Sequence, residues 1–339
     1  MRADVLYQFN EAYVPYAGVS ITSLLENNKD IDEIKIYVLD DHVSEASRDM
    51  LRVTVERYAR QIEFIDVAEI IDTMKKLGIP KYRGSYTTNL KLFLPMVINY
   101  YIRRLLYIDS DTVVNGSIRP LFEMNMDNYP VAMCYDSLGK KHKQLIGLSD
   151  EDGYYNAGVI LFNLDEWKKQ MCTERIVEHV KNVRAHYMSP DQDLINVVLN
   201  KQIKTIEPEY NLQPIHLVYR YGIYKLFFGQ KDYYNRKSME SAVKSPVILH
   251  FFRFIGQFPW DKDSLHPDTE IFDRYMSISE WKDYEKTPAV QGGAVFKIER
   301  WMYRHLPQFI FMLIFKVNYE IFIKKAEKRS KLQHELNEM

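Results

Sequence analysis

The chain has 339 residues, 46% of them apolar and 27% charged; this is globular composition, and it excludes a disordered or collagen-like chain. At about 150 residues per domain the length suggests roughly two domains, or one large α/β domain with an appendage. Lysine and arginine number 45 against 46 for aspartate and glutamate, so the chain offers no general field for duplex nucleic acid, and no such partner is expected.

The opening residues, MRADVLYQFNEAY, carry no charged-then-apolar export signal, and no apolar run is long enough to span a bilayer. The expectation is a chain that is neither exported nor membrane-spanning. Residues 5–9 (VLYQF) read as a buried strand and 16–27 as a helix with Val19, Leu24 and Leu25 among its inward positions. Strands follow at 34–41 and 62–67, with Ser44 as the N-cap of the helix between them. A loop with Gly78, Pro80 and Gly84 leads to a stretch, 89–102, that reads as helical despite Pro95, and then to a strand at 105–114. Strand alternating with helix is the pattern of an α/β fold built on a Rossmann-like sheet with helices on both faces.

The second half is less regular. Strands are expected at 131–136, 157–164 and 247–252 and a helix at 190–200, while the tyrosine-rich stretch 210–240 has no clear assignment. The two cysteines, Cys134 and Cys172, make neither a disulfide framework nor a Cys-X-X-Cys metal spacing, and they fit a reducing, cytoplasmic compartment. A main domain over residues 1–270 and a C-terminal helical region over 271–339 are expected. Within the latter, 308–323 is rich in aromatic residues and is followed by Lys324, Lys325, Lys328, Arg329 and Lys331. Two readings of 308–331 stay open. One is a peripheral helix in the inner membrane interface with its basic end on anionic head groups; the other is a helix docked on the protein body.

The sharpest local feature is Asp109-Ser110-Asp111 at the end of an apolar strand, because open α/β sheets bind ligands beyond the carboxyl ends of their strands. Two carboxylates there are costly without a cation, and a hard divalent ion is the usual answer. His250 also ends a strand, and one imidazole with two carboxylates suits manganese or magnesium holding a diphosphate. Asn156 precedes a strand, and Asp191-Gln192-Asp193 opens a helix, where Asp191 complements the helix dipole. Gln192 can hydrogen-bond a polyhydroxylated substrate without burying an ion. Phosphate-loop, dinucleotide, zinc-helix and serine-elbow motifs are absent, so hydride transfer and serine hydrolysis recede.

In order along residues 3–262, the segments VLDDHVSEASRDML, IEFIDV, SYTTNLKLFLP, RRLLYIDSDTVVNGSIRPLF, YYNAGVILFNLDEWKK, DQDLINVVLN and VILHFF…PW resemble the family 8 glycosyltransferases. These are retaining, nucleotide-sugar-dependent enzymes that include bacterial lipopolysaccharide and lipooligosaccharide galactosyl- and glucosyltransferases. The resemblance implies a GT-A fold, with a C-terminal helical extension here. It implies transfer of a hexose from UDP-glucose or UDP-galactose to a hydroxyl of a glycan or glycolipid, with manganese or magnesium as cofactor. Position by position, it implies Asp109, Asp111 and His250 as metal ligands. Glu11 and Tyr13 fall at the uracil and ribose, Ser110, Asn156, Ala157 and Gly256 at other donor contacts, and Lys91, Gln192 and Asp193 form the catalytic set. In that set Lys91 takes an arginine's place, Gln192 lies beneath the anomeric carbon and Asp193 partners a sugar hydroxyl.

Two departures stand out. Asn10 replaces the family's first-strand acidic residue, and Phe258 stands where a lysine grips the diphosphate, with Arg253 and Lys262 as the nearby replacements. They leave a rival reading, a non-catalytic or partner-dependent nucleotide-binding member of the same fold.

Overall fold

Among the described residues nine strands form: β1 (Arg2–Asn10), β2 (Glu33–Asp41), β3 (Gln61–Asp66), β4 (Arg104–Ile108), β5 (Thr112–Val114), β6 (Val131–Tyr135), β7 (Tyr155–Asn163), β8 (Ile203–Thr205) and β9 (Ile248–His250). The structure is a computed structural model and describes residues 1–82, 84–99, 101–183, 187–290 and 293–338. Seven strands form one sheet in the order β3-β2-β1-β4-β7-β6-β8, while β5 and β9 pair separately. Strands β3, β2, β1 and β4 run parallel, and β7 is antiparallel to both β4 and β6. The sheet is therefore mixed.

Alternate residues of each strand feed opposite faces. Leu6, Tyr37, Leu105, Tyr107 and Ile160 pack beneath helix α3 (Ala68–Leu77) and the helix Pro190–Val198. Val5, Tyr7, Ile36, Leu106 and Val159 pack beneath α1 (Val14–Glu26) and α2 (Glu45–Glu56). Helices on both faces thus follow from near-continuous apolar strands that need cover on each side. Ser44 caps α2 by accepting from the Ser47 amide at 3.3 Å.

The structure departs from the sequence reading in two places and fills in a third. The strand expected at 105–114 breaks at Asp109–Asp111, because β5 leaves the large sheet to pair with β9. The stretch 89–102 is not one α-helix: Thr87–Met96 forms 3-10 turns interrupted at Phe93 (φ −114°, ψ 20°) just before Pro95, which cannot donate to a helix. Tyr100 of that stretch lies outside the described residues. The unassigned 210–240 region consists of short helices whose tyrosines and phenylalanines bury together.

The expected domain boundary at 270 falls inside the helix Thr269–Met276, whose Phe272, Tyr275 and Met276 pack with Val19, Val113 and Phe251. Trp281 goes deeper. Its ring lies against Gly18 of α1, where a Cβ would come within 1.9 Å of it. Beyond it run the helices Ala294–His305 and Gln308–Glu338. The latter docks through Phe311, Met312 and Ile323, which are buried, while Ile310, Leu313, Val317 and Ile321 face outward. The side chains of Arg329 and Lys331 lie outside the described residues. Among the described residues no helix is long and apolar enough to cross a membrane. Replacing Trp281 by Ala should cost about 3–5 kcal/mol of stability, as for other buried tryptophans, and a urea titration followed by circular dichroism measures it.

Candidate active site

Strand β4 ends at Ile108, and the backbone then turns sharply. The Asp109 amide donates to the Gly158 carbonyl on β7 at 2.7 Å, and the Thr112 hydroxyl donates to the Asp109 carbonyl at 2.9 Å. The Phe251 amide donates to the Asp111 carbonyl at 2.8 Å. Together with the Thr112–His250 pairing of β5 and β9, these bonds bring His250 against the two carboxylates.

His250 Nε2 lies 3.3 Å from Asp111 Oδ1 and 3.7 Å from Asp109 Oδ2. One ligand atom from each of the three residues lies within 4.8 Å of the others, a group able to hold a metal ion. The imidazole is buried and its Nδ1 faces Asn211 Oδ1 at 3.0 Å. With Nδ1–H as donor, the Nε2 lone pair points to the carboxylates, as a metal-ligating histidine requires. Burial works against a charge on His250, but Asp111 and Asp109 outweigh it and hold its pKa above the usual value. Gly158 makes the approach possible: a Cβ there would stand 2.0 Å from His250 Cε1 and 3.0 Å from Asp109 Oδ2. Two carboxylates and an imidazole, half enclosed, fit a divalent ion of the manganese or magnesium type. Ser110 is buried between the two aspartates.

Lys91 ties this cluster to the helix Pro190–Val198. Its Nζ lies 2.8 Å from Asp191 Oδ2 and 3.7 Å from Asp109 Oδ1, and it donates to the Ala157 carbonyl at 3.1 Å. The ammonium also sits 4.1 Å from the centroid of the Tyr107 ring, whose hydroxyl donates to Asp109. Lys91 is fully buried; burial opposes its charge, yet Asp109 and Asp191 outweigh it and raise its pKa. Burial raises the pKa of Asp191, with Lys91 pulling the other way. Asp191, read from sequence only as a charge for the helix dipole, is thus the counter-ion of Lys91.

Gln192 is held on all sides. Its Oε1 accepts from Asn156 Nδ2 and from the Ala157 amide, each at 3.0 Å, and its Nε2 donates to Asp136 Oδ2 at 3.2 Å and to the Tyr154 hydroxyl at 2.9 Å. Asn156 Oδ1 in turn accepts from Asn211 Nδ2 at 2.8 Å. A directional chain of amides therefore runs from His250 through Asn211, Asn156 and Gln192 to Asp136. Gln192 and Asp136 line a cavity of about 470 Å³ together with His142 and Tyr187.

The other expected site residues have partners of their own within the fold. Asp193 is fully buried and accepts from His142 Nε2 at 2.7 Å, the Tyr154 hydroxyl at 2.6 Å and the Ser189 amide at 3.0 Å. It positions those groups. His142 is held above its usual pKa because Asp193 outweighs the burial that opposes its charge. Glu11, expected at the nucleoside, accepts from the Ser44 amide (2.8 Å) and the Ser44 and Ser47 hydroxyls (3.1 and 2.8 Å), so its carboxylate serves the start of α2. The Ser44 amide first, with both hydroxyls, holds its pKa below the usual range.

Tyr13 is exposed at the end of an aromatic row: it meets Tyr16 edge-on at 5.8 Å, Tyr16 stacks on Trp260 at 4.0 Å, and Trp260 stacks on Phe258 at 4.4 Å. Gly256, at φ 79°, is roofed by Phe296. The Arg253 guanidinium lies 4.9 Å from the Phe258 ring centroid, whereas Lys262 lines a separate cavity against the helix Ala294–His305. Sequence reasoning missed Asp136, Tyr154 and Asn211. Asp136 and Asn211 lie outside the quoted motifs, and Tyr154 opens one of them without any sign of its role; their hydrogen bonds reveal all three.

Removing the amide that orients His250, Asn211→Ala, should weaken manganese binding by about 10–100-fold in calorimetry, as other losses of outer-shell support do. Gly158→Ala, which displaces the imidazole itself, should abolish it. Because the pKa of His250 is raised, the imidazole is protonated below that value and a free ligand above it, so manganese affinity should climb with pH as the proton is lost.

Residues 4–264 match the family model described as glycosyl transferase family 8. The chain is 26% identical over 293 residues to the lipopolysaccharide 1,2-glucosyltransferase of Escherichia coli K12, which covers 83% of this chain and 79% of that protein. It is 25% identical over 289 residues to general stress protein A of Bacillus subtilis, covering 83% and 96%. Among solved structures it is similar to the galactosyltransferase LgtC in complex with donor and acceptor sugar analogs, with a TM-score of 0.65 at 24% identity over 82% of this chain and 96% of that one. With the family model spanning well over half of its length, the chain belongs to glycosyl transferase family 8 and has the GT-A fold.

Proposed function

We propose that this glycosyltransferase moves a hexose, glucose or galactose, from a UDP-sugar to a hydroxyl of a glycan or glycolipid with the anomeric configuration retained. The observation that carries this reading is the linkage of Asp109, Asp111 and His250 to Gln192 through Lys91 and the amide chain, in a chain of this family. Relatives in Escherichia coli and Salmonella typhimurium are named for glucosyl and galactosyl transfer in lipopolysaccharide, which supports an acceptor of that class.

Asp109, Asp111 and His250 would hold manganese or magnesium, which would supply Lewis-acid stabilisation for the negative charge of the departing UDP. Lys91 fixes Asp109 and Asp191 in place and keeps their mutual repulsion from opening the site. Gln192 brings a neutral amide to the oxocarbenium-like sugar; it is a poor nucleophile, so a same-face substitution fits better than a covalent intermediate. In that step the bond from C1 to the phosphate oxygen breaks and a bond from C1 to the acceptor oxygen forms. The acceptor proton passes to the departing phosphate oxygen. With Phe258 in the lysine position, we assign the cation for the diphosphate to Arg253, whose guanidinium lies over that ring.

Asp111→Asn should abolish release of UDP from the donor while leaving the circular dichroism spectrum intact, and unchanged turnover would refute the assignment. Arg253→Ala should raise the KM for the donor by about tenfold, as expected for a lost charged contact to phosphate, with Arg253→Lys closer to wild type. The rival reading, a nucleotide binder without transfer, rests on Asn10 and Phe258; UDP and manganese binding without turnover of any donor in a panel would favour it.

The location proposed is the cytoplasm, at the inner membrane face. Two buried free thiols fit that compartment. The outward stripe Ile310, Leu313, Val317 and Ile321, continued by Lys324, Lys325 and Lys328, suits an anionic bilayer. Leu313→Glu with Val317→Glu should abolish sedimentation with phosphatidylglycerol vesicles; undiminished sedimentation would remove the membrane from this proposal.

A further inference from the structure

The cavity beside Gln192 has a wall that the family motifs do not supply. Its floor carries Gln192 and Asp136, tied to each other at 3.2 Å, with His142 alongside. Its outer side is aromatic: Tyr187 from the body, and Tyr319 and Phe322 from the C-terminal helix Gln308–Glu338. That helix lies beyond residue 264, where the family match ends.

The C-terminal helix is fastened at this point. The Tyr319 hydroxyl donates to the Leu138 carbonyl at 3.0 Å, and the Leu138 amide donates to Asp136 Oδ1 at 2.8 Å. The turn that aims Asp136 at Gln192 is therefore pinned by the same tyrosine that walls the cavity. Tyr319 also packs edge-on against Phe228 at 5.9 Å, so its ring is fixed. Phe322, one helical turn on, is 54% exposed at the cavity rim. A large aromatic ring left in water at the mouth of a cavity is burial still to be gained.

We propose that Tyr319 and Phe322 form the wall on which the acceptor stacks, and that the acceptor group is a pyranose ring. This deepens the transferase reading above and rests on it for the word acceptor. A pyranose has one face of C–H bonds, whose partial positive charge packs on the negative face of an aromatic ring. Its edge of hydroxyls needs donors and acceptors such as Asp136 and His142. A cavity with carboxylate, amide and imidazole on one side and aromatic rings on the other matches both demands, and about 470 Å³ is within the range of small-molecule sites. A bare alkyl chain would make no use of the polar floor of Gln192, Asp136 and His142, and a diphosphate would make none of the aromatic wall. The C-terminal helix thereby selects the acceptor, while the motifs in residues 4–264 handle the donor.

The test uses the full chain with four probes, the methyl α- and β-glucosides and galactosides, in saturation-transfer NMR on wild type, Phe322→Ala and Phe322→Trp. The expected result is saturation of ring C–H protons of at least one probe in wild type, loss of that signal in Phe322→Ala, and its return in Phe322→Trp. In transfer assays the KM for that probe should rise by about tenfold in Phe322→Ala, the loss of one stacking contact, while the KM for the donor changes less than about twofold. Equal saturation in wild type and Phe322→Ala, or no binding of any probe, would overturn the proposal. A wild-type protein that binds the sugar through Phe322 but turns over no UDP-sugar would sink the transferase reading and leave the sugar wall standing.

Discussion

A lysine with almost no contact with water must find anions, and the site is arranged around that demand. Lys91 draws Asp109 from the end of β4 and Asp191 from the start of the helix Pro190–Val198 toward one point, and the Ala157 carbonyl of β7 completes its shell. Removing either carboxylate would leave a buried charge poorly matched, which is far costlier than losing a surface pair. Three elements distant in sequence are thus locked to one ammonium. The Asp109, Asp111 and His250 cluster and the Gln192 amide are thereby held in one frame.

Topology explains why these groups are free to meet. Strand β7 runs antiparallel to β4, so the start of β7 lies next to the end of β4. Asn156, Ala157 and Gly158 therefore face Asp109, and the missing Cβ of Gly158 makes room for His250. Breaking the chain out of the large sheet at Asp109–Asp111 lets β5 recruit β9, which carries His250 to the same place. The amide chain from His250 to Asp136 then transmits orientation without adding charge to an interior that already holds several ions.

The C-terminal region has two faces with different work. Its inward residues, Phe311, Met312 and Tyr319, complete the aromatic cluster of the 210–240 region. Residues before it are still less separable: Trp281 fills the notch left by Gly18, so the core continues past any boundary drawn near 270. The same helix lines the cavity beside Gln192 with Tyr319 and Phe322 and turns the apolar stripe Ile310, Leu313, Val317 and Ile321 outward.

Strand β1, the α1 and α2 helices, the Ser44 cap and the Asp109-Ser110-Asp111 motif were legible in the amino-acid sequence because local pattern decides them: apolar runs need burial, a serine hydroxyl satisfies a free amide, and ordered motifs mark a family. The hydrogen-bond partners of Glu11 and Asp193 were not legible, for the opposite reason. A carboxylate accepts from whatever donors the fold brings near, and the donors here, Ser44, Ser47, Tyr154 and His142, come from other elements. Sequence alone determined the α/β layering and the ligand types available to a metal ion. Only the tertiary structure decided that Asp191 serves Lys91, that Asn211 orients His250 and that Tyr319 reaches the Asp136 turn, since hydrogen bonds and ion pairs depend on distances of a few ångströms between residues that spacing along the chain does not relate.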